Sequence, residues 1–148
     1  MIKFVIPDDA ILRELDANAP IEQVREVQAS HGKDIYTVAK AGMQVSLETW
    51  AAIQDDKLRC VVGLVPQSLM SDVASPWLLT AGVDPKLLMR GTRVFLDQWR
   101  KEYQVLYNYI DARYEASLRW AKWAGFTIHE AVPYGYEGLP FHKIEIRN

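Results

Sequence analysis

Cysteine is almost absent from this chain: Cys60 is the only one in 148 residues. A single cysteine closes no intramolecular bridge, and no Cys/His cluster has the spacing of zinc ligands. A disulfide scaffold and a zinc finger are thereby excluded, and a reducing compartment, the cytoplasm by default, is expected. Long hydrophobic runs are missing as well. No apolar stretch approaches the roughly 20 residues that span a bilayer, and the opening run, residues 1–6, is broken by Pro7 before it reaches the length of a signal-peptide core. Nor is positive charge in excess. Against 17 Lys+Arg stand 19 Asp+Glu, a formal net charge of −2, which argues against a nucleic-acid partner. Repeats, low-complexity tracts and Gly/Ser/Pro-rich linkers are also lacking, so residues 1–148 read as a single domain. A chain of this size buries about 68–70% of its unfolded surface, enough for a core without staples.

What is present in excess is aromatic: five tryptophans and seven tyrosines. Rings at that density imply a thick aromatic core, an aromatic binding surface, or both. Along the chain, residues 2–6 read as a strand ended by Pro7, and Asp8 caps a helix through Leu15. A second helix follows Asn18 and Pro20, with Ile21, Val24 and Val27 at helical spacing and His31-Gly32 as its stop. Ile35, Val38 and Ala39 favour a short third helix. Residues 47–54 and 58–65 flank the turn Asp55-Asp56-Lys57 as a hairpin. Within its second strand, Gly63 marks a bulge or a close backbone approach. Trp77-Leu78-Leu79-Thr80 is a short strand introduced by Ser75-Pro76.

Residues 84–103 form the clearest helix, with Asp84 as cap and Pro85 in the first turn. Leu87, Leu88, Gly91, Val94, Phe95 and Trp99 fall on one arc, and Lys86, Arg90, Arg93, Arg100 and Lys101 on the opposite one. Residues 104–110 read as a strand and 112–124 as a helix, in which Glu115 and Arg119 have the spacing of an ion pair. Two terminal strands, 127–131 and 141–146, are joined by a turn-rich segment.

The stretch Leu106-Tyr107-Asn108-Tyr109-Ile110-Asp111, followed by Arg119-Trp120 and Ala124-Gly125-Phe126, resembles the strand, helix and Gly-Phe ending of the Gcn5-related N-acetyltransferase (GNAT) superfamily. It is similar more narrowly to a GNAT-like branch encoded by tailed bacteriophages, some of whose members are phage morphogenesis proteins. The resemblance spans residues 47–146. It implies an α+β fold with α/β/α-like layers: a twisted, mostly antiparallel sheet, helices on both faces, and a splay between the strand at Trp77–Thr80 and the strand at 104–110. It also implies acetyl-CoA in that splay, its pantetheine arm paired with the backbone of residues 78–80 and its pyrophosphate on amides at the start of the following helix. Leu79, Thr80, Lys86, Arg90, Gly91, Thr92, Asn108 and Tyr114 are the cofactor-binding candidates on this chain. Free N–H groups at a helix start form an anion site whatever the family. The chain departs from the superfamily pattern at several points: Asp84 sets a carboxylate where a phosphate would sit, Tyr114 stands at a position often held by asparagine, and the strand at residues 77–80 has no carboxylate in the usual general-base place. Residues 86–92 carry one glycine where the phosphate loop has two, and Ala121 stands where a tyrosine commonly protonates the departing thiolate.

Asp111, at the carboxyl end of its strand, is a candidate general base, and Glu48 a second. Asp111 is equally placed to cap the next helix, and Glu48 to be an ordinary strand carboxylate. His129 and His142 form no metal set, and Cys60 reads as a buried hydrophobe. Trp120, Trp123, Tyr134 and Tyr136 are either core or a surface for a host or phage protein. Two functions follow from the resemblance. One is transfer of an acetyl group from acetyl-CoA to an amine on a small molecule or protein; the other is a non-catalytic role in virion assembly or host-protein binding, in the host cytoplasm.

Overall fold

A computed structural model describes residues 1–82 and 85–148, and the side chains of these except Pro85, Lys86, Leu87 and Met89. Caps set the early helices. Pro7 follows β1 (Ile2–Val5), and Asp8 accepts the N–H of Ile11 at 2.9 Å to start α1 (Asp9–Asn18). Pro20 precedes α2 (Ile21–His31), which ends as Gly32 turns left-handed at φ +68° and donates to the carbonyl of Gln28. Asp34 accepts the N–H of Thr37 at 2.7 Å and opens α3 (Ile35–Val45). The expected Asp84 cap of the fourth helix lies outside the described residues.

Among the described residues, seven strands form one sheet in the order β1-β2-β3-β4-β5-β7-β6, with β2 (Glu48–Gln54), β3 (Lys57–Pro66), β4 (Val73–Thr80), β5 (Val105–Asp111), β6 (Thr127–Tyr134) and β7 (Leu139–Arg147). Every neighbouring pair is antiparallel except β4 and β5. That parallel pairing covers only Val73 with Val105 and Ala74 with Leu106; beyond these residues the two strands separate. The expected splay is therefore present.

Helices α4 (Pro85–Glu102) and α5 (Glu115–Trp123) cover one face of the sheet. There Cys60, Val62, Leu64, Leu96, Trp99, Leu106, Phe126 and Ile144 form one core. On the other face, Leu12, Leu15, Val27, Ile35 and Ala39 of α1, α2 and α3 pack on Ala51, Leu58, Val61 and Leu79. The layers are those of an α+β fold with helices on both faces.

Several local expectations need correction. β4 runs through Pro76, four residues earlier than the strand read from sequence. Proline is tolerated because its missing N–H falls on the side where the ladder to β5 has already ended. Helix α5 begins at Glu115 rather than 112, because the Asp111 side chain accepts the N–H of Arg113 and closes a turn; Tyr114, not Asp111, is the cap residue. Helix α4 is rotated: Val94 is exposed, while Thr92 and Leu96 are buried. Helix α2 exposes Ile21 and Val24 and buries Gln23. Gly63 is a close approach, not a bulge: a Cβ there would lie 2.3 Å from the Trp77 indole, whose Nε1 donates to Ser46 Oγ at 2.9 Å.

Candidate acyl-transfer cleft between β4 and β5

The splay opens a cleft of about 820 Å³. Its lining runs from Leu88, Thr92, Leu96 and Trp99 of α4 and Arg119 and Trp120 of α5, past Leu78 and Asn108, to Glu22, Gln23 and Glu26 of α2. It thus joins the two faces of the sheet through the gap between the strands. Its volume lies within the ~300–1,000 Å³ of small-molecule sites.

Strand alternation decides which backbone groups face the gap. Ala81 donates to the carbonyl of Arg59 on β3, so residues 81, 79 and 77 direct their polar groups to β3, and residues 80, 78 and 76 direct theirs toward β5. Pro76 has no N–H, and its carbonyl accepts Asn108 Nδ2 at 2.7 Å across the vertex of the splay. Thr80 is engaged from the other end: its N–H donates to Gln23 Oε1 at 2.8 Å and its carbonyl accepts Gln23 Nε2 at 3.0 Å. Between these two contacts lies Leu78, whose N–H and C=O face the cleft. Leu79 does not, since its backbone is directed at β3 and its side chain is buried in the opposite core.

Three residues beyond Gln23, on the same side of α2, Glu26 Oε2 accepts the N–H of Asp111 at 2.9 Å. Helix α2 therefore bridges the two diverging strands, holding β4 through Gln23 and β5 through Glu26. Burial, reinforced by the nearby Asp111 carboxylate and opposed by the Asp111 N–H, pushes the Glu26 carboxyl up to about 7. Asp111 itself is 2% exposed, and both its oxygens are gripped by Arg113, with Oδ2 at 2.7 Å from Nη2. Burial works against its charge, but the hydrogen bonds and charge of Arg113 prevail and hold the carboxyl below its ordinary value. Tyr114 lines the cleft as a neutral phenol, pushed up to about 12 by burial and by the carboxylates of Glu26 and Glu22.

The residues expected to act together are thus partly separated. Thr80, Thr92, Asn108 and Tyr114 line the cleft. Thr92 Oγ1 donates to the Leu88 carbonyl at 2.7 Å and accepts Trp120 Nε1 at 3.2 Å, tying α5 to α4. Asp111 lies behind the lining, locked to Arg113, and is a poor base. Glu48 lies on β2, away from the lining, and accepts Trp50 Nε1 at 3.1 Å. Arg90 is exposed and outside the lining, where Arg113 and Arg119 supply the cations instead. Gly91 is not in the cleft lining; it borders a small neighbouring pocket with Ile2, Phe4 and Ala52 that shares Leu88 and Thr92 with the cleft, and a Cβ there would meet nothing within 4 Å. The Lys86 side chain lies outside the described residues. Glu115 and Arg119 both line the cleft, and no ion pair joins them.

The four late aromatics do not share one surface. Trp120 faces the cleft. Trp123 is exposed beneath the guanidinium of Arg93, 4.7 Å from its ring. Tyr134 stacks on Tyr109 at 4.0 Å, and Tyr136 lies over Gly32. On the terminal hairpin, His129 bonds Glu145 Oε1 at 2.7 Å, and His142 Nδ1 lies 2.7 Å from the His129 carbonyl.

Comparison with solved structures shows the same fold at low sequence identity. An aminoglycoside N(6′)-acetyltransferase from Legionella pneumophila superposes with a TM-score of 0.72 at 10% identity, over 99% of this chain and 91% of that one. A ribosomal L7/L12 alpha-N-protein acetyltransferase in complex with coenzyme A gives 0.72 at 8% identity, over 99% and 93%. An acetyltransferase of the GNAT family from Streptococcus pneumoniae gives 0.67 at 9% identity, over the full length of both chains. No family model and no curated protein matches the sequence. With its seven-stranded sheet, helices on both faces and splay between β4 and β5, the chain has the fold of the GNAT acetyltransferases.

Proposed function

We propose that the chain is an acetyl-CoA-dependent N-acetyltransferase in which Glu26 is the general base. The observation that carries this reading is the cleft through the β4/β5 splay with Glu26 in its wall, near neutrality in its titration. A base works best with a pKa close to the working pH, and Glu26 meets that condition where Asp111, held ionised by Arg113, does not.

The residues present fit the cofactor. Leu78 offers one backbone N–H and one C=O at an unpaired strand edge, the pattern that an amide-bearing arm satisfies. Arg113 and Arg119 supply positive charge in the same cleft. Bound acetyl-CoA would supply an acetyl thioester, whose carbon–sulfur bond breaks as the carbon–nitrogen bond to the acceptor forms. Glu26 takes the proton that the amine nitrogen loses. No acid need replace the tyrosine missing at Ala121, because a thiol with a pKa of about 8.5 leaves readily as the thiolate. Tyr114, neutral at physiological pH, donates a hydrogen bond rather than a proton.

The acceptor is an amine on a small molecule or a protein. The similar structures include enzymes named for an aminoglycoside and for a ribosomal protein, and fold alone does not choose between such substrates. Assignment to the phage-encoded branch, with work in the host cytoplasm, is part of the same proposal and rests on the sequence motifs alone. The non-catalytic alternative requires no cofactor cleft, and the cleft weighs against it.

The test is thiol release from acetyl-CoA with an amine acceptor, followed against pH. The wild-type rate should rise through about pH 7, and Glu26→Gln should lower kcat by roughly 10²–10⁴. Wild-type turnover by that variant would remove Glu26 from the mechanism.

A further inference from the structure

The Gln23 carboxamide makes the two hydrogen bonds that a neighbouring strand would make to Thr80. Its oxygen takes the N–H and its nitrogen serves the C=O, at 2.8 and 3.0 Å. The side chain is 3% exposed, and both bonds lie inside the cleft. A carboxamide offers that donor and acceptor side by side.

We propose that Gln23 is an internal stand-in for an amide of the cofactor's pantetheine arm: it closes the β4 edge at Thr80 in the free protein and is exchanged for that amide when acetyl-CoA binds. This rests on the acetyltransferase reading above. Leu78 leaves one residue of free edge between the Asn108 bridge and the Gln23 plug. An arm that pairs with β4 for longer must displace the carboxamide. Displacement breaks the hold of α2 on β4 while Glu26 keeps its hold on β5 through the Asp111 N–H. Cofactor loading and the placement of the base are thus linked through one helix, and the internal contact lowers the apparent affinity by the fraction of molecules in which it is closed.

The test is calorimetric titration of wild type and Gln23→Ala with acetyl-CoA and, separately, with adenosine 3′,5′-bisphosphate, which carries the nucleotide but no amide. Removal of the competitor should tighten acetyl-CoA binding roughly thirtyfold, the worth of two net hydrogen bonds, and leave the bisphosphate unchanged. Weaker or unchanged acetyl-CoA binding overturns the exchange, as does an equal gain for both ligands. Absence of acetyl-CoA binding to the wild type overturns the acetyltransferase reading together with the exchange; binding that ignores the substitution overturns the exchange alone. Should Gln23→Ala fold poorly, the Gln23 side-chain amide resonances of the isotopically labelled wild type give the answer. They should shift on adding acetyl-CoA and stay in place on adding the bisphosphate; resonances indifferent to acetyl-CoA refute displacement.

Discussion

Glu26 accepts a hydrogen bond from the Asp111 amide and faces the carboxylate of the same residue, so its backbone partner favours the charge while burial and the neighbouring charge oppose it. Burial prevails, and the consequence for stability has a definite sign. The folded protein keeps a proton on Glu26 between its ordinary 4.5 and about 7, where the unfolded chain has released it. Stability from this group is therefore complete below pH 4.5 and is lost as the pH rises through about 7. Glu26→Gln, which stays neutral, should unfold at a higher Tm than wild type at pH 8 and at the same Tm at pH 4, with a difference at pH 8 of up to roughly 3 kcal/mol. Urea unfolding at the two pH values checks this, and a difference independent of pH would contradict it. Asp111→Asn removes the charge but keeps the N–H. The acid limb of the pH–rate profile should then move to lower pH; an unmoved limb would show that the Asp111 charge does not reach Glu26.

Helix α2 places this chemistry, and it is held along its length. Gln23 ties it to β4 and Glu26 to β5, while at its C-terminal end the carbonyls of Ser30 and Ala29 accept the N–H groups of Tyr136 and Glu137 from the β6–β7 loop. Gly135 makes that docking possible: its φ is +78°, and a Cβ there would lie 2.7 Å from Ser30 Cα. Gly138 in the same loop has φ +68° with nothing within 4 Å. Gly138→Ala should cost only the strain of a left-handed residue, about 1–2 kcal/mol. Gly135→Ala should cost more and also speed amide exchange along α2. Equal costs in urea unfolding would show that the loop does not clamp the helix. Where the early helices begin and end was partly legible, because Asp8, Gly32 and Pro20 act through neighbouring backbone groups; the Asp34 cap was not read, and β4 and α5 start at Val73 and Glu115 rather than at 77 and 112. Which way α2 faces was not legible. Val27 packs in the core as its spacing suggests, but Ile21 and Val24 are exposed, because the start of the helix lies over a gap between strands, where open polar edges favour Gln23 and Glu26 over aliphatic side chains.

For the molecule as a whole, the layers and the splay were legible only through the resemblance to the GNAT superfamily, and β4 and β5 do separate after Ala74 and Leu106. The site was less legible. Thr80, Thr92, Asn108 and Tyr114 line the cleft because they sit on the elements that bound the gap. Glu26, the proposed base, carries no local mark: its raised titration comes from burial and from the Asp111 carboxylate, distant in sequence and brought to it by the sheet. Arg90 and Gly91 lie outside that lining, on a helix whose inward face is set by Thr92, Leu96 and Trp99. The central claim concerns the cleft, and calorimetric titration of the full chain with acetyl-CoA tests it most directly. The expected result is saturable one-to-one binding with a negative heat-capacity change, as apolar lining such as Leu78, Leu96 and Trp120 leaves water; no heat at about millimolar ligand, from protein shown to be folded, would contradict it.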